Sequence, residues 1–396
     1  MEDYLISRDG RPVFAIGLNY WPRDSGPAMW SLRKSWQPER IRAEIAQMRD
    51  LGCHVCRAFL YTPDFAPQPY TLAPEALSRL DQFLDYCAEA GLGVFLTLLV
   101  GHMSCENWHP NWLCGRDIYR DPEAVDWQAW YCREIAGRYR GHPAIAGWVL
   151  TNEITNYAPV PDAASGRAWA EKMLAALREG DPTRPAGLGD GAWEACGADN
   201  GLRMDDLAHL LDFFGPHTYH RESDDLRHAQ LVPFLIELCR RGRPVLLEEF
   251  GASTAHCSPE NQALYYRETL HSAFLAGAAG ALGWCFSDFD LANERPYSHH
   301  PHELRFGVTD IRGEPKPAAQ EMQRFAALLQ SIDLRRWRHA ERHAAVVVPS
   351  FQTTWRYPFN DPDLKAVNGV LLESFVLARQ ANVSVELFRE PPVGPE

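Results

Sequence analysis

Two acidic sites end otherwise apolar runs in this 396-residue chain: Glu153 closes GWVLTNE (147–153), and Glu248 and Glu249 lie in PVLLEEFG (244–251). Each carboxyl is either a charge paired at a strand end or half of a catalytic pair. Two carboxyl groups about 5–5.5 Å apart are what a retaining glycosidase requires. One carries a proton for the departing oxygen, and the other, ionised, attacks the anomeric carbon. Partial burial and a nearby negative charge raise the proton affinity of the acid, as that role demands. Neighbours on a strand face opposite ways, so only one of Glu248 and Glu249 is expected in the site. Alternation alone does not say which.

Other polar side chains end or follow similar runs. Arg57 beside a carboxylate would keep it ionised, as suits a nucleophile, or would serve a structural ion pair. Asn152 can hold a sugar hydroxyl. His217 and Tyr219 are two apart and share a face; Tyr219 could bond the nucleophile and His217 a sugar hydroxyl, unless His217 is a satisfied core histidine. Trp284 offers a flat platform for a pyranose or fills the core. His102 ends a run and is followed by Trp108. Trp108, like Trp21 and Trp112, is a lesser candidate, because loop tryptophans often only anchor loops.

Such residues need a frame that gathers strand ends. The strand-like runs are 14–21, 54–60, 93–100, 145–153, 184–190, 211–219, 244–251 and 280–289. Most are continuously apolar, the signature of parallel strands covered on both faces. Amphipathic stretches lie between them, with Pro near the start or Gly past the end: 38–52, 74–91, 122–141, 165–180, 258–277 and 317–332. Asp121 and Ser258 read as caps. The fold class is therefore α/β, a (β/α)8 barrel over 8–333. No glycine-rich dinucleotide loop follows the first strand, which disfavours a doubly wound sheet. Barrels of this kind carry their sites at the C-terminal ends of the strands, where all the candidates fall.

Residues 334–396 form a connector (RRWRHAER, 335–342) and a small β–α–β extension, with strands at 343–350 and 383–388 and a helix at 369–382. The piece is too short for its own core. It is expected to pack on the barrel, to pair with a second copy of the chain as a homo-oligomer, or to begin a further domain.

Composition narrows the function classes. A net charge of −13 disfavours nucleic acid as a partner. MEDYLISRDG lacks the apolar core of a secretion signal, and no eighteen-residue apolar run suggests a membrane span. The ten cysteines then read as reduced thiols of a cytoplasmic protein. Cys53 and Cys56 are three apart on a strand and face opposite ways, so they cannot clamp one metal. SHHPHE (298–303) and HTYH (217–220) invite a metal-dependent hydrolase, but FAIGLNYW lacks a histidine pair. No metal or cofactor is expected. A non-catalytic sugar-binding barrel would have lost one of the two carboxylates.

The set resembles glycoside hydrolase family 5 and its wider clan over about residues 10–330. TNE ending the fourth strand is similar to the family's Asn–Glu, which implies Glu153 as acid/base. LLEEFG resembles the strand-seven motif, which implies Glu249, directly before Phe250, as nucleophile. Arg57, His102, His217, Tyr219 and Trp284 fall where the family carries its strand-two Arg, strand-three His, strand-six His and Tyr, and strand-eight Trp. FGVTDIRGEPKPAA (306–319) is similar to the family's lead into its last helix. GLNYWP and GHMSCENWHPNW resemble an intracellular, exo-acting branch that includes β-mannosidases. The implied substrate is a β-mannoside in a short oligosaccharide.

Overall fold

The computed structural model describes residues 4–219, 224–337, 342, 344–349, 355–356 and 362–390. Expected features on 338–341, 343, 350 and 391–396, and His220 of the HTYH stretch, lie outside the described residues.

Eight parallel strands form one sheet: β1 (Ala15–Asn19), β2 (Val55–Tyr61), β3 (Gly93–Val100), β4 (Ile145–Thr151), β5 (Ala186–Gly187), β6 (His217–Tyr219), β7 (Leu246–Gly251) and β8 (Gly280–Gly283). Its ladder runs β6-β7-β8-β1-β2-β3-β4-β5. A bridge between Gly191 and Pro216 joins the two ends and closes a (β/α)8 barrel. Helices follow the strands: α1 (Pro38–Asp50), α2 (Pro74–Ala90), α3 (Pro122–Arg138), α4 (Ala163–Gly180), α5 (Met204–Leu207, one turn), α6 (Asp225–Cys239), α7 (Pro259–Leu275) and α8 (Pro317–Gln330). Asp121 and Ser258 cap α3 and α7 through their side chains, as expected. The apolar periodicity marks no helix for α6, whose interior contains Pro233.

β5 and β6 are far shorter than the apolar runs that contain them. Pro185 and Pro216 stand immediately before them, and each removes a backbone donor from the ladder. Single bonds replace pairing there, from Asp212 N to Ala186 O (3.0 Å) and from His217 N to Gly191 O (3.1 Å). β4 ends at Thr151, two residues earlier than expected. β8 ends at Gly283, six earlier, and the Trp284–Cys285 peptide that follows is cis.

The lower barrel is filled by Ala15, Val55, Phe95, Val149, Phe213, Leu246 and Leu282, all buried. Phe95 and Phe213 meet edge to face, 5.8 Å between centroids. Phe95 leaves no room on β4 for a side chain at Gly147, where a Cβ would lie 2.6 Å from its ring. Strand residues alternate faces, so positions two further on also point inward, one layer higher. Two beyond Val55 is Arg57, two beyond Phe95 is Thr97, and two beyond Leu246 is Glu248. The second layer is thus polar, and it underlies the mouth of the barrel.

The extension forms a β–α–β unit with β9 (Ala344–Val348), α9 (Pro362–Gln380) and β11 (Val385–Arg389); β9 and β11 pair in parallel. A short strand, β10 (Trp355–Arg356), lies between. The unit packs on the barrel. Phe375 meets Phe234 of α6 at 5.7 Å, Arg227 pairs with Glu373 at 2.7 Å, and Arg342 pairs with Glu237 at 3.0 Å.

Candidate active site

Glu153 and Glu249 come together at the mouth. Donor atoms of Glu153, His217 and Glu249 all lie within 4.8 Å of one another. Glu249 reaches the mouth from β7. Arg57 Nη1 donates to its Oε1 at 2.6 Å, and the Tyr219 hydroxyl donates to its Oε2 at 2.6 Å. Arg57 is fully buried below the cleft, so it orients Glu249 rather than touching a substrate. Its other nitrogens bond Asn152 Oδ1 (3.0 Å) and Thr97 Oγ1 (3.1 Å), and its plane lies over Phe59. One guanidinium therefore fixes the ends of β4 and β7 together, and the five-donor fork of arginine suits that task.

Glu153 follows β4 on a left-handed backbone, φ 45° and ψ 46°, at the start of a one-turn helix (Ile154–Tyr157). This conformation strains a residue with a Cβ, and strain of this kind gathers at functional sites. It turns the carboxylate into the mouth. His217 Nδ1 lies 2.8 Å from Glu153 Oε1, and Asn156 Nδ2 donates to Oε2 at 3.1 Å. His102 Nε2 stands 3.6 Å from the same Oε2. Asn107 gives its amide hydrogen to Asn156 O (2.9 Å), which leaves its carbonyl to accept from His102 Nδ1. Asn152 Nδ2 donates to His102 O at 3.0 Å.

Only Glu249 lines the cleft, as expected for neighbours on a strand, but Glu248 is not turned away from the groups that support it. The pairing of β7 with β8 shifts register between Leu247 and Phe250. Such an irregularity re-aims side chains, and both carboxylates reach the same arginine. Glu248 is fully buried, one layer lower, with Oε2 3.5 Å from both Arg57 Nη2 and His217 Nε2. It fits because position 215 is glycine; a Cβ there would lie 1.9 Å from Oε1. Among the described residues Oε1 has no hydrogen-bond partner.

Three carboxyl groups thus surround two cationic side chains. Burial alone would lower the His217 imidazolium, but the charge of Glu249 and bonds to Glu153 and Glu248 push it up to about 10. Burial raises Glu153, yet the hydrogen bond from His217 and the charges of His217, His102 and Arg57 bring it below the usual carboxylate value. Burial, with the charge of Glu153 added, raises Glu249 against the pull of His217 and Arg57. This order corrects the expectation that the acid/base is the raised member: the His217 imidazolium bonded to Glu153 pulls that carboxyl down, and the pair titrates as one unit around His217. Asp190, buried at the end of β5 near Glu248, is pushed up to about 6.

A cleft of about 1290 Å³ opens above these groups; its walls include His102, Asn152, Glu153, Trp193, His217, Tyr219, Glu249 and Trp284. Trp284 packs edge-on against Phe59 at 6.0 Å. Trp108 is corrected: it packs edge-on against Tyr61 at 5.5 Å and does not line the cleft. Asn156, Trp193 and Glu303 line the cleft without having been singled out from the sequence. The loop after β3 forms a small hairpin (His102–Met103 with Glu106–Asn107). Ser104 donates to Glu303 at 3.1 Å and Glu106 pairs with Arg295, tying this hairpin to the loop after β8. The ring order places β1 and β2 between β8 and β3, so the tie spans the mouth over β1 and β2.

Among the described residues, the histidine-rich stretches form no second group of three side chains spaced for a metal. His302 pairs with Glu303 and stacks on His256. Among the described residues, the one group of three side chains spaced for a metal is Glu153, His217 and Glu249.

Comparison with known proteins agrees with the barrel fold. The chain is 24% identical over 278 residues to a probable mannan endo-1,4-beta-mannosidase F from Neosartorya fischeri, covering 63% of this chain and 57% of that one. The chain spans between 29% and 59% of the length of the curated relatives it matches. Among solved structures, the exo-beta-1,4-mannosidase Op5Man5 from Opitutaceae bacterium strain TAV5 superposes with a TM-score of 0.86 at 26% identity, covering 100% of this chain and 73% of that one. GH5_18 from Streptomyces cattleya, solved with Manb1-4GlcNAc, has a TM-score of 0.82 at 23% identity and covers 95% and 94%; at that identity it bears on the fold alone. The family model described as Cellulase (glycosyl hydrolase family 5) matches residues 10–290. With a closed barrel, a carboxylate pair on β4 and β7 and a match across most of its length, the chain belongs to glycosyl hydrolase family 5.

Proposed function

We propose that this protein is a retaining, exo-acting β-glycosidase that releases a terminal β-mannosyl unit from short oligosaccharides. The observation that carries the reading is the carboxyl pair whose oxygens approach within 4.8 Å, with one member held by Arg57. That separation suits direct attack; an inverting enzyme holds its pair about 6.5–9.5 Å apart to leave room for water.

Glu249 is the nucleophile and Glu153 the acid/base. Glu249 attacks the anomeric carbon while Glu153 delivers its proton to the glycosidic oxygen. The aglycone leaves as an alcohol, and the sugar remains as an ester of Glu249. Glu153 then takes a proton from water, which attacks the same carbon from the aglycone side, frees Glu249 and returns the β configuration. His217 is the local proton store. When Glu249 becomes a neutral ester, one negative charge beside His217 disappears, and the imidazolium loses part of what holds its proton.

The tie over β1 and β2 supports exo action, because it walls the cleft behind Trp284 and leaves it open toward β4–β7. The mannoside assignment is supported by the mannosidase and mannanase similarities. The ten free cysteines suit a reducing compartment. Among the described residues no helix is long and apolar enough to cross a membrane.

Aryl β-D-mannoside, glucoside, galactoside and xyloside, assayed side by side with product anomers followed by NMR, test this reading. Preference for the mannoside with a β product supports it, and mannose as the first product from mannotetraose supports exo action. An α product would overturn the double displacement.

A further inference from the structure

Trp193 enters the cleft from the loop after β5, on the far side of the barrel ring from Trp284. Glu153 stands on the neighbouring β4. An acid/base lies beside the group it protonates, so the β4–β5 side of the cleft holds the departing aglycone. Trp193 thus lines the side of the cleft where the leaving sugar would lie.

The loop that carries Trp193 is short and irregular. It has a left-handed residue at Ala192 (φ 52°), a single 3-10 turn (Trp193–Cys196) and a two-residue strand (Ala198–Asp199). The C-terminal extension grips it at three points. Asn368 Nδ2 donates to Cys196 O at 2.7 Å, and Arg389 Nη2 donates to Ala195 O at 3.1 Å. β10 pairs in parallel with Ala198–Asp199. The two side-chain bonds satisfy carbonyls at the end of the turn, the groups a helical turn cannot satisfy itself. Arg389 also faces Glu194; burial pushes that carboxyl up to about 7 against the charges of Arg389 and Arg241. The other side of the extension is fixed to α6 through Phe234, Arg227 and Glu237. It therefore bridges a rigid barrel helix to the loop.

We propose that the C-terminal extension sets the leaving-group subsite: Asn368 and Arg389 are positioning residues that hold the loop after β5 so that Trp193 stacks on the aglycone sugar. The inference rests on the glycosidase reading above. Only a substrate with a sugar in the leaving position uses this contact.

The test compares β-1,4-mannobiose with β-mannosyl fluoride, whose leaving group is one atom. Five proteins are assayed: native enzyme, Trp193→Ala, Trp193→Phe, the double variant Asn368→Ala with Arg389→Ala, and that double variant with Trp193→Ala added. The ratio of kcat/KM for mannobiose to kcat/KM for the fluoride should fall about ten-fold in Trp193→Ala, the size of a lost stacking contact. It should fall in the double variant as well and recover in Trp193→Phe. Adding Trp193→Ala to the double variant should lower it no further, because both act through one contact. Thermal unfolding identifies a variant that has lost its fold; Arg389→Met then replaces the double variant. An unmoved ratio in Trp193→Ala, or an equal loss on both substrates in the extension variants, would overturn the proposal. Turnover of neither substrate by the native enzyme would instead overturn the glycosidase reading itself.

Discussion

Arg57 Nη1 lies 2.6 Å from Glu249 Oε1, and no part of that arginine reaches solvent. The guanidinium is a fixed support beneath the nucleophile, and it bonds Asn152 on the facing strand as well. Removing one member of a buried, hydrogen-bonded ion pair costs about 3–5 kcal/mol. Arg57→Ala should therefore lose stability of that order in urea denaturation, as well as activity. Arg57→Lys should fold better but stay impaired, because an ammonium cannot make the same fork of bonds. Full activity in Arg57→Lys would show that orientation by the fork is unimportant.

Glu153→Ala removes the proton donor but leaves Glu249 on its supports. An aryl mannoside with a good leaving group needs little protonation, so its first step should survive while the second slows. Azide needs no general base and should restore turnover, with a β-mannosyl azide as product visible by NMR. A variant as fast as the native enzyme without azide would remove Glu153 from the mechanism.

His217 is pushed up to about 10 among Glu153, Glu248 and Glu249, against roughly 6.5 in an unfolded chain. A raised value means that the folded state holds the proton more tightly. The stabilisation is complete below about pH 6.5 and is lost as pH rises through about 10. Urea denaturation at pH 6.5 and pH 10.5 should show a larger loss for the native protein than for His217→Asn. Equal losses would mean that His217 is neutral in the fold.

Glu248 acts on the site through its neighbours. Glu248→Gln keeps the shape that fits over Gly215 and removes one negative charge from His217. The alkaline limb of the kcat/KM profile should move down by on the order of one pH unit. A lowered rate with an unmoved profile would limit Glu248 to packing.

The chemistry was legible in the sequence because the barrel repeats a local rule. A barrel gathers its strand ends at one mouth, so the polar and aromatic residues in or just after each apolar run mark the site; Arg57, His217, Tyr219 and Trp284 were read in this way. What stayed hidden depends on contacts between distant segments. That Glu248 approaches Arg57 and His217 from beneath Glu249 goes with the register shift between β7 and β8. Asn156 reaches Glu153 only because the backbone turns left-handed at Glu153. Trp193 sits in a loop with no periodicity, held by residues almost two hundred positions away. Trp108 is a loop tryptophan whose packing on Tyr61 keeps it out of the cleft, a contact no local pattern reveals.

The nucleophile can be tested directly by mass spectrometry after incubation with 2-deoxy-2-fluoro-β-mannosyl fluoride. Fluorine at C2 slows both steps, and the fluoride leaving group restores the first, so the glycosyl ester accumulates. One fluorosugar per chain, on the carboxyl of Glu249, is the expected result. The same sugar on Glu248 or Glu153, or no adduct in an enzyme that hydrolyses mannosides, would contradict double displacement through Glu249.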